Sequence, residues 1–136
     1  MKSDYINATL DMGYSMLFQI VDAILRTYGF DTYCGVLHTD FYMRKSLVCD
    51  LIEPMRPIID LQIRKSINLG QCKEEDFEVY NYKYQLPWKN SPKYVAFLME
   101  AIIDRKDEIF LYVQQYYRAF MRNKPYNEFP KFEVQV

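Results

Sequence analysis

A chain of 136 residues, half of them apolar and 17% aromatic, is the size of one domain and rich enough in apolar side chains to fold. Seventeen Lys and Arg against eighteen Asp and Glu exclude a uniformly basic nucleic-acid coat, so any DNA contact has to be local. Cys34, Cys49 and Cys72 form no CxxC pair, the start MKSDYINATL is no secretory signal, and no run reaches the roughly 18 apolar residues of a membrane span, which together predict a reduced, cytoplasmic chain.

Residues 4–28 read as the first helix, capped by Ser3 or Asp4 and closed by Gly29. At about 100° per residue, Asn7, Asp11, Ser15, Gln19, Asp22 and Arg26 fall in one narrow polar stripe, so most of the circumference is buried. Asp22 and Arg26, one turn apart, are placed to pair. Gly13 in mid-helix costs about 1 kcal/mol relative to Ala, which is expected where another backbone comes close. Tyr33 to Leu37 is a short extended or tightly turned run that delivers His38, the only histidine. Thr39 to Lys45 reads as a surface loop. Ser46 then caps a helix that runs to about Asn68 and ends at Gly70. Along it Asp50, Glu53, Asp60 and Arg64 share a sector of about 80°. Pro54 and Pro57 lack the amide hydrogens that would bond the carbonyls of Asp50 and Glu53, so the helix has to kink there.

Residues 71–91 change character. Tyr80, Tyr82, Tyr84 and Leu86 alternate with Asn81, Lys83 and Gln85, which is strand periodicity and predicts a short hairpin or extended arm around 77–86, the tyrosines on one side. Ser91-Pro92 is a cap and first-turn proline, opening a helix that breaks or turns near Asp104 to Asp107. From Asp107 to Arg122 a second apolar stripe, with Val113, Tyr116, Tyr117 and Phe120, reads as core. The aromatic tail 124–136 reads as extended, for docking on another subunit or disordered. The fold class is mainly α, a single helical domain with a short arm.

Asp50 and Glu53, three residues apart on a helix, have Cβ atoms roughly 5–6 Å apart, within common reach of one ion. With the His38 imidazole they make a set with open positions that suits Mg²⁺ or Mn²⁺ holding water and a substrate phosphate. The same residues also fit a solvated helix face and a structural histidine. Arg44, Lys45, Arg56, Arg64 and Lys65 likewise fit surface cations that pair with Asp60. Three functions therefore stand side by side: metal-dependent phosphodiester chemistry, a non-enzymatic helical interaction module using the Tyr-rich arm and tail, or an unrelated phosphohydrolase that completes its site with Asp40 or Asp60.

Three patches carry a resemblance. Asn7-x-x-Leu10-x-x-Gly13-Tyr14-x-x-Leu17 comes first, then Gly35-Val36-Leu37-His38, then Arg44-x-Ser46-Leu47-x-x-Asp50-Leu51-x-Glu53-Pro54-x-Arg56-Pro57. In order and spacing across residues 7–60 they resemble the CRISPR-associated adaptation integrase, the metal-dependent DNA endonuclease and integrase that installs new spacers. The resemblance implies His38 and Glu53 as metal ligands with Asp50 beside them, all three catalytic, and Mg²⁺ or Mn²⁺ as cofactor. It implies Arg44, Arg56 and Tyr14 as nucleic-acid contacts. It implies spacer-precursor and repeat DNA as substrates, a homodimer bridged by a small ferredoxin-like partner protein, and a prokaryotic cytoplasm. The family's remaining ligand is a glutamate well before the histidine, whereas only 37 residues precede His38 here and none is glutamate. The family's N-terminal β-rich domain has no counterpart either. The chain is therefore expected to correspond to the C-terminal part of the helical catalytic domain, and to be inactive alone.

Overall fold

The structure, a computed structural model, describes residues 4–28 and 37–134, with side chains at 5–28 and 45–134. It is mainly α, as the patterning predicts. In order come α1 (Asp4–Arg26), α2 (Leu37–Ile52), a 3-10 turn (Glu53–Met55), α3 (Arg56–Asn68), a hairpin of β1 (Glu78–Tyr80) and β2 (Lys83–Gln85), α4 (Ser91–Ile103) and α5 (Lys106–Met121). The caps Ser3, Asp4 and Gly29 and the segment before Leu37 lie outside the described side chains. The chain clusters into two compact units built from segments distant in sequence. One takes α1 as far as Met16 together with Arg56–Asp104, the other Leu17–Met55 with Arg105–Gln135.

In the first unit α1 meets α3 and α4 at Gly13. A methyl added there would collide with Ile59 Cγ2 and stand 3.2 Å from both Ile59 Cδ1 and Leu98 Cδ2. The glycine thus makes room for side chains, not for the backbone its position suggests, because a bare Cα admits a β-branched neighbour just as readily. Gly70, at φ +76°, closes α3, with the Gln71 N–H donating to the Ser66 carbonyl at 2.7 Å. Fully buried Tyr94 of α4 ties in the loop before the hairpin: its hydroxyl donates to Asp76 at 2.8 Å and accepts from the Lys73 N–H at 3.0 Å. The N-cap of α4 is Asn90 rather than Ser91, which is the first helical residue, and the Asn90 side-chain amide donates to the Asp76 carbonyl at 2.8 Å.

The hairpin is present, but its faces are not those expected. Register pairs Val79 with Tyr84 and Tyr80 with Lys83 around the two-residue turn Asn81-Tyr82, whose φ angles are +51° and +64°. Alternation holds only within one strand, and a two-residue turn resets it. Tyr80 therefore lies on the face opposite Tyr84.

In the second unit Leu17, Val21 and Leu25 of α1 are buried, as are Leu47, Val48 and Leu51 of α2 and Ile109 and Val113 of α5. Helix α2 starts at Leu37, so Thr39 to Lys45 is helix rather than loop and Ser46 caps nothing. Between Leu37 and Glu53 there is no Gly or Pro to stop a helix, and polar residues alone do not. The kink falls where the prolines place it, in the 3-10 turn Glu53–Met55. The Asp22–Arg26 pair forms at 3.2 Å. The tail departs from expectation: Phe132 is buried, with its ring edge-on to Tyr112 at 5.3 Å, and Phe129 meets Tyr116 at 4.7 Å. Up to there it packs on its own chain, because the two α5 tyrosines one turn apart offer it an aromatic wall.

Candidate active site

Asp50 ends the last full turn of α2 and Glu53 opens the 3-10 turn, so the prolines that break the helix also fix where these two carboxylates stand. Both line one cavity of about 780 Å³ within the second unit. Its far wall is Tyr112 and Tyr116 of α5 with Phe129 and Phe132 of the tail, and Lys131 and Glu133 complete the rim. Burial pushes the Tyr112 phenol up to about 12, with the neighbouring phenols and the Asp50 charge adding to it. Burial also raises Tyr116, and Asp50 raises it further, since a carboxylate nearby disfavours phenolate. Both hydroxyls therefore remain neutral O–H donors beside the acids.

Two hard oxygen donors on an open cavity fit a share of a Mg²⁺ or Mn²⁺ coordination shell, but not a whole one. Among the described residues no three His, Cys, Asp or Glu side chains gather as a metal site. His38 belongs to the first turn of α2, but its ring lies outside the described side chains, as do Asp40 and Arg44. The structure thus brings Asp50 and Glu53 to one cavity.

Tyr14 and Arg56 are brought together in the first unit. The Arg56 guanidinium lies over the Tyr14 ring, 4.7 Å from its centroid, and the Tyr14 hydroxyl donates to Asp60 Oδ1 at 2.5 Å. Burial, then the bond to Asp60, pushes the Tyr14 phenol up to about 12. Asp60 was expected to pair with surface cations, yet a phenol from α1 takes one of its oxygens. Of the four residues expected to share one helical sector, Asp50 and Glu53 belong to the second unit and Asp60 and Arg64 to the first, with the 3-10 turn between them in sequence.

The sequence places Tyr116 in a core stripe, does not single out Tyr112, and leaves Phe129, Lys131 and Glu133 without a role. The only available signal was the one-turn spacing of the two tyrosines against an aromatic tail, and spacing does not say which surface a tail covers.

Fold and site together define a helical chain with an acid-rimmed, aromatic-walled cavity. Residues 1–98 match the family described as CRISPR associated protein Cas1, and the chain belongs to that family. It is 34% identical over 105 residues to "CRISPR-associated endonuclease Cas1 1" of Archaeoglobus fulgidus, covering 76% of this chain and 29% of that protein. It is 26% identical over 140 residues to a CRISPR-associated endonuclease Cas1 of Hyperthermus butylicus, covering 93% of this chain and 40% of the relative. A CRISPR-associated exonuclease Cas4/endonuclease Cas1 fusion of Leptospira interrogans is 33% identical over 118 residues, 85% of this chain and 22% of the fusion. The chain thus spans well under half the length of these relatives. No solved structure matches it.

Proposed function

We propose that this chain serves metal-dependent phosphodiester chemistry on DNA, as the C-terminal part of the helical catalytic domain of a CRISPR adaptation nuclease and integrase. The observation that carries the reading is that Asp50 and Glu53, the two acids of the family-like signature, line one cavity. Glu53 and His38, with Asp50 beside them, would hold Mg²⁺ or Mn²⁺, which supplies Lewis-acid polarisation of the phosphodiester when bound. Asp50 accepts a hydrogen bond from the attacking group: a 3′-hydroxyl of a spacer precursor in integration, water in cleavage. Tyr112 and Tyr116, kept protonated, donate to oxygens entering the cavity, while their rings and Phe129 limit the access of bulk water. The setting is a prokaryotic cytoplasm, with repeat DNA as target, a second copy of the protein and a small ferredoxin-like protein as partners.

The test takes the 136-residue chain through Mn²⁺ titration by calorimetry and incubation with branched DNA. Weak Mn²⁺ binding that Asp50→Asn or Glu53→Gln abolishes, with no cleavage by the chain alone, is the expected result. Mn²⁺ binding unchanged in both variants would refute the site.

A further inference from the structure

We propose that the hairpin arm is a stacking platform for an unpaired DNA strand, with Tyr82 and Trp88 taking bases and Lys83 and Lys89 taking the phosphates beside them. The proposal rests on the reading of the chain as a DNA-processing protein and names the form of DNA that this arm takes.

The arm is fastened on one face and bare on the other. Tyr84 of β2 packs on its own chain: its hydroxyl donates to Glu74 Oε2 at 2.6 Å, and its ring meets Phe77 at 6.4 Å and Tyr5 of α1 at 6.5 Å. Phe77 in turn stands edge-on to buried Tyr94 at 5.3 Å. Register sets Tyr80 and Lys83 opposite each other on the other face, where Tyr80 is exposed. At the tip Tyr82 is 98% exposed. Past the end of β2, Trp88 is 86% exposed on a turn that the Asn90 amide ties to the Asp76 carbonyl. The rings thus stand on a support that is itself packed and hydrogen-bonded.

Two of these rings stand where stability alone would not put them. Tyr82 takes φ +64° at a hairpin-turn position that glycine fills without strain. Trp88, the only tryptophan, leaves most of a large apolar surface in water. Each is followed directly by a lysine, and neither Lys83 nor Lys89 makes an ion pair among the described residues. Of the acids around the arm, Asp76 pairs with Lys93 at 2.8 Å and Glu74 is held by Tyr84. Glu75 precedes the hairpin and Glu78 lies at its open end, away from the tip.

Exposed rings with cations beside them suit a single strand, because every base has a π-face and carries a phosphate next to it. A duplex keeps its bases stacked on one another and offers these rings no face. An apolar protein surface laid over the arm would strand both ammonium groups without a partner. Charge therefore favours the nucleic acid as occupant.

The sole tryptophan reports on the site directly. The full 136-residue chain is titrated with a short oligothymidylate and with an abasic strand of the same length, which carries the same phosphates and no bases. The oligothymidylate is expected to quench Trp88 fluorescence and to bind about five- to a hundredfold tighter than the abasic strand. By anisotropy of the labelled strands, Tyr82→Gly and Trp88→Leu should each lose much of that preference and keep the wild-type affinity for the abasic strand. Tyr82→Gly relieves the turn, so its loss of binding cannot be put down to a failure to fold. Lys83→Gln should weaken both strands and flatten the slope of log affinity against log salt by about 0.7, the share of one single-strand phosphate. Equal affinity for the two strands, or a preference that survives in both ring variants, overturns the proposal. So does dimerisation that Trp88→Leu abolishes without quenching by oligothymidylate, which would give the arm to a second copy of the chain. A wild-type chain that binds neither strand, nor duplex, at low salt overturns the DNA reading beneath it.

Discussion

Gly13→Ala sets two effects of known size against each other. On helix propensity alone, alanine in the middle of α1 gains about 1 kcal/mol. The added methyl, however, collides with Ile59 Cγ2 and presses at 3.2 Å on Ile59 Cδ1 and Leu98 Cδ2. Ile59 is fully buried, and its β-branch holds one rotamer in a helix, so it has nowhere to swing. Overpacking of this kind costs about 1–3 kcal/mol, and a rigid neighbour puts it near the top of the range. The net expectation is a loss of about 1–2 kcal/mol, read by urea denaturation followed by circular dichroism, with the denaturant slope unchanged. The partner experiment is Ile59→Ala, which alone costs about 2–5 kcal/mol. With Gly13→Ala it should cost less than the sum, because the new methyl fills part of the void. A Gly13→Ala chain about 1 kcal/mol more stable than wild type, or a strictly additive cycle, would refute the close approach of α1, α3 and α4.

Tyr82→Gly should stabilise the chain by about 1 kcal/mol, since an aromatic residue at φ +64° and 98% exposed bears left-handed strain and has little packing to lose; a lower midpoint would contradict this. Burial alone would raise the Asp76 carboxyl, but hydrogen bonds from Lys93 and Tyr94 outweigh it and hold the group below its ordinary range. A lowered folded value contributes stability above the unfolded value of about 3.9 and loses it as the pH falls through the folded one. Asp76→Asn should therefore lower the midpoint at neutral pH, and the gap to wild type should close below about pH 4. Phe132→Ala should free the tail from Tyr112, seen as faster tryptic cleavage after Lys131 with helical content retained; equal cleavage rates would place the tail elsewhere.

What was legible in the sequence was whatever follows from local periodicity or from proline. The polar stripe of α1 matches the exposed positions Asn7, Asp11, Ser15, Gln19 and Arg26, and Pro54 breaks the helix where its missing amide demands. Three things were hidden, each for a separate reason. Thr39 to Lys45 reads as a loop on polarity alone, although it holds no Gly or Pro to break a helix. Tyr80 and Tyr84 share a face by alternation but not in the hairpin, because the turn lies inside the alternating run, where the pattern gives no sign of reversal. Asp60 meets Tyr14 across 46 residues of sequence, and no spacing rule reaches that far.

The place of the two acids also bears on whether they bind metal at all. A carboxylate is favoured at the start of a helix and disfavoured at its end, where the macrodipole is negative. Asp50 stands in the last turn of α2 and Glu53 directly after it, beside a carbonyl of Asp50 that Pro54 cannot serve as a helical donor. A pair retained only for solubility gains nothing from that position, whereas a divalent cation relieves the repulsion of both charges and the dipole together. Each neutral variant, Asp50→Asn or Glu53→Gln, should therefore stabilise the metal-free chain by about 0.3–1 kcal/mol. The same variants should lose the rise in melting temperature that Mn²⁺ gives the wild type. Thermal melts with and without Mn²⁺ separate the cases: if both variants melt lower than wild type in chelator, the carboxylates are structural partners and the metal reading loses its physical basis.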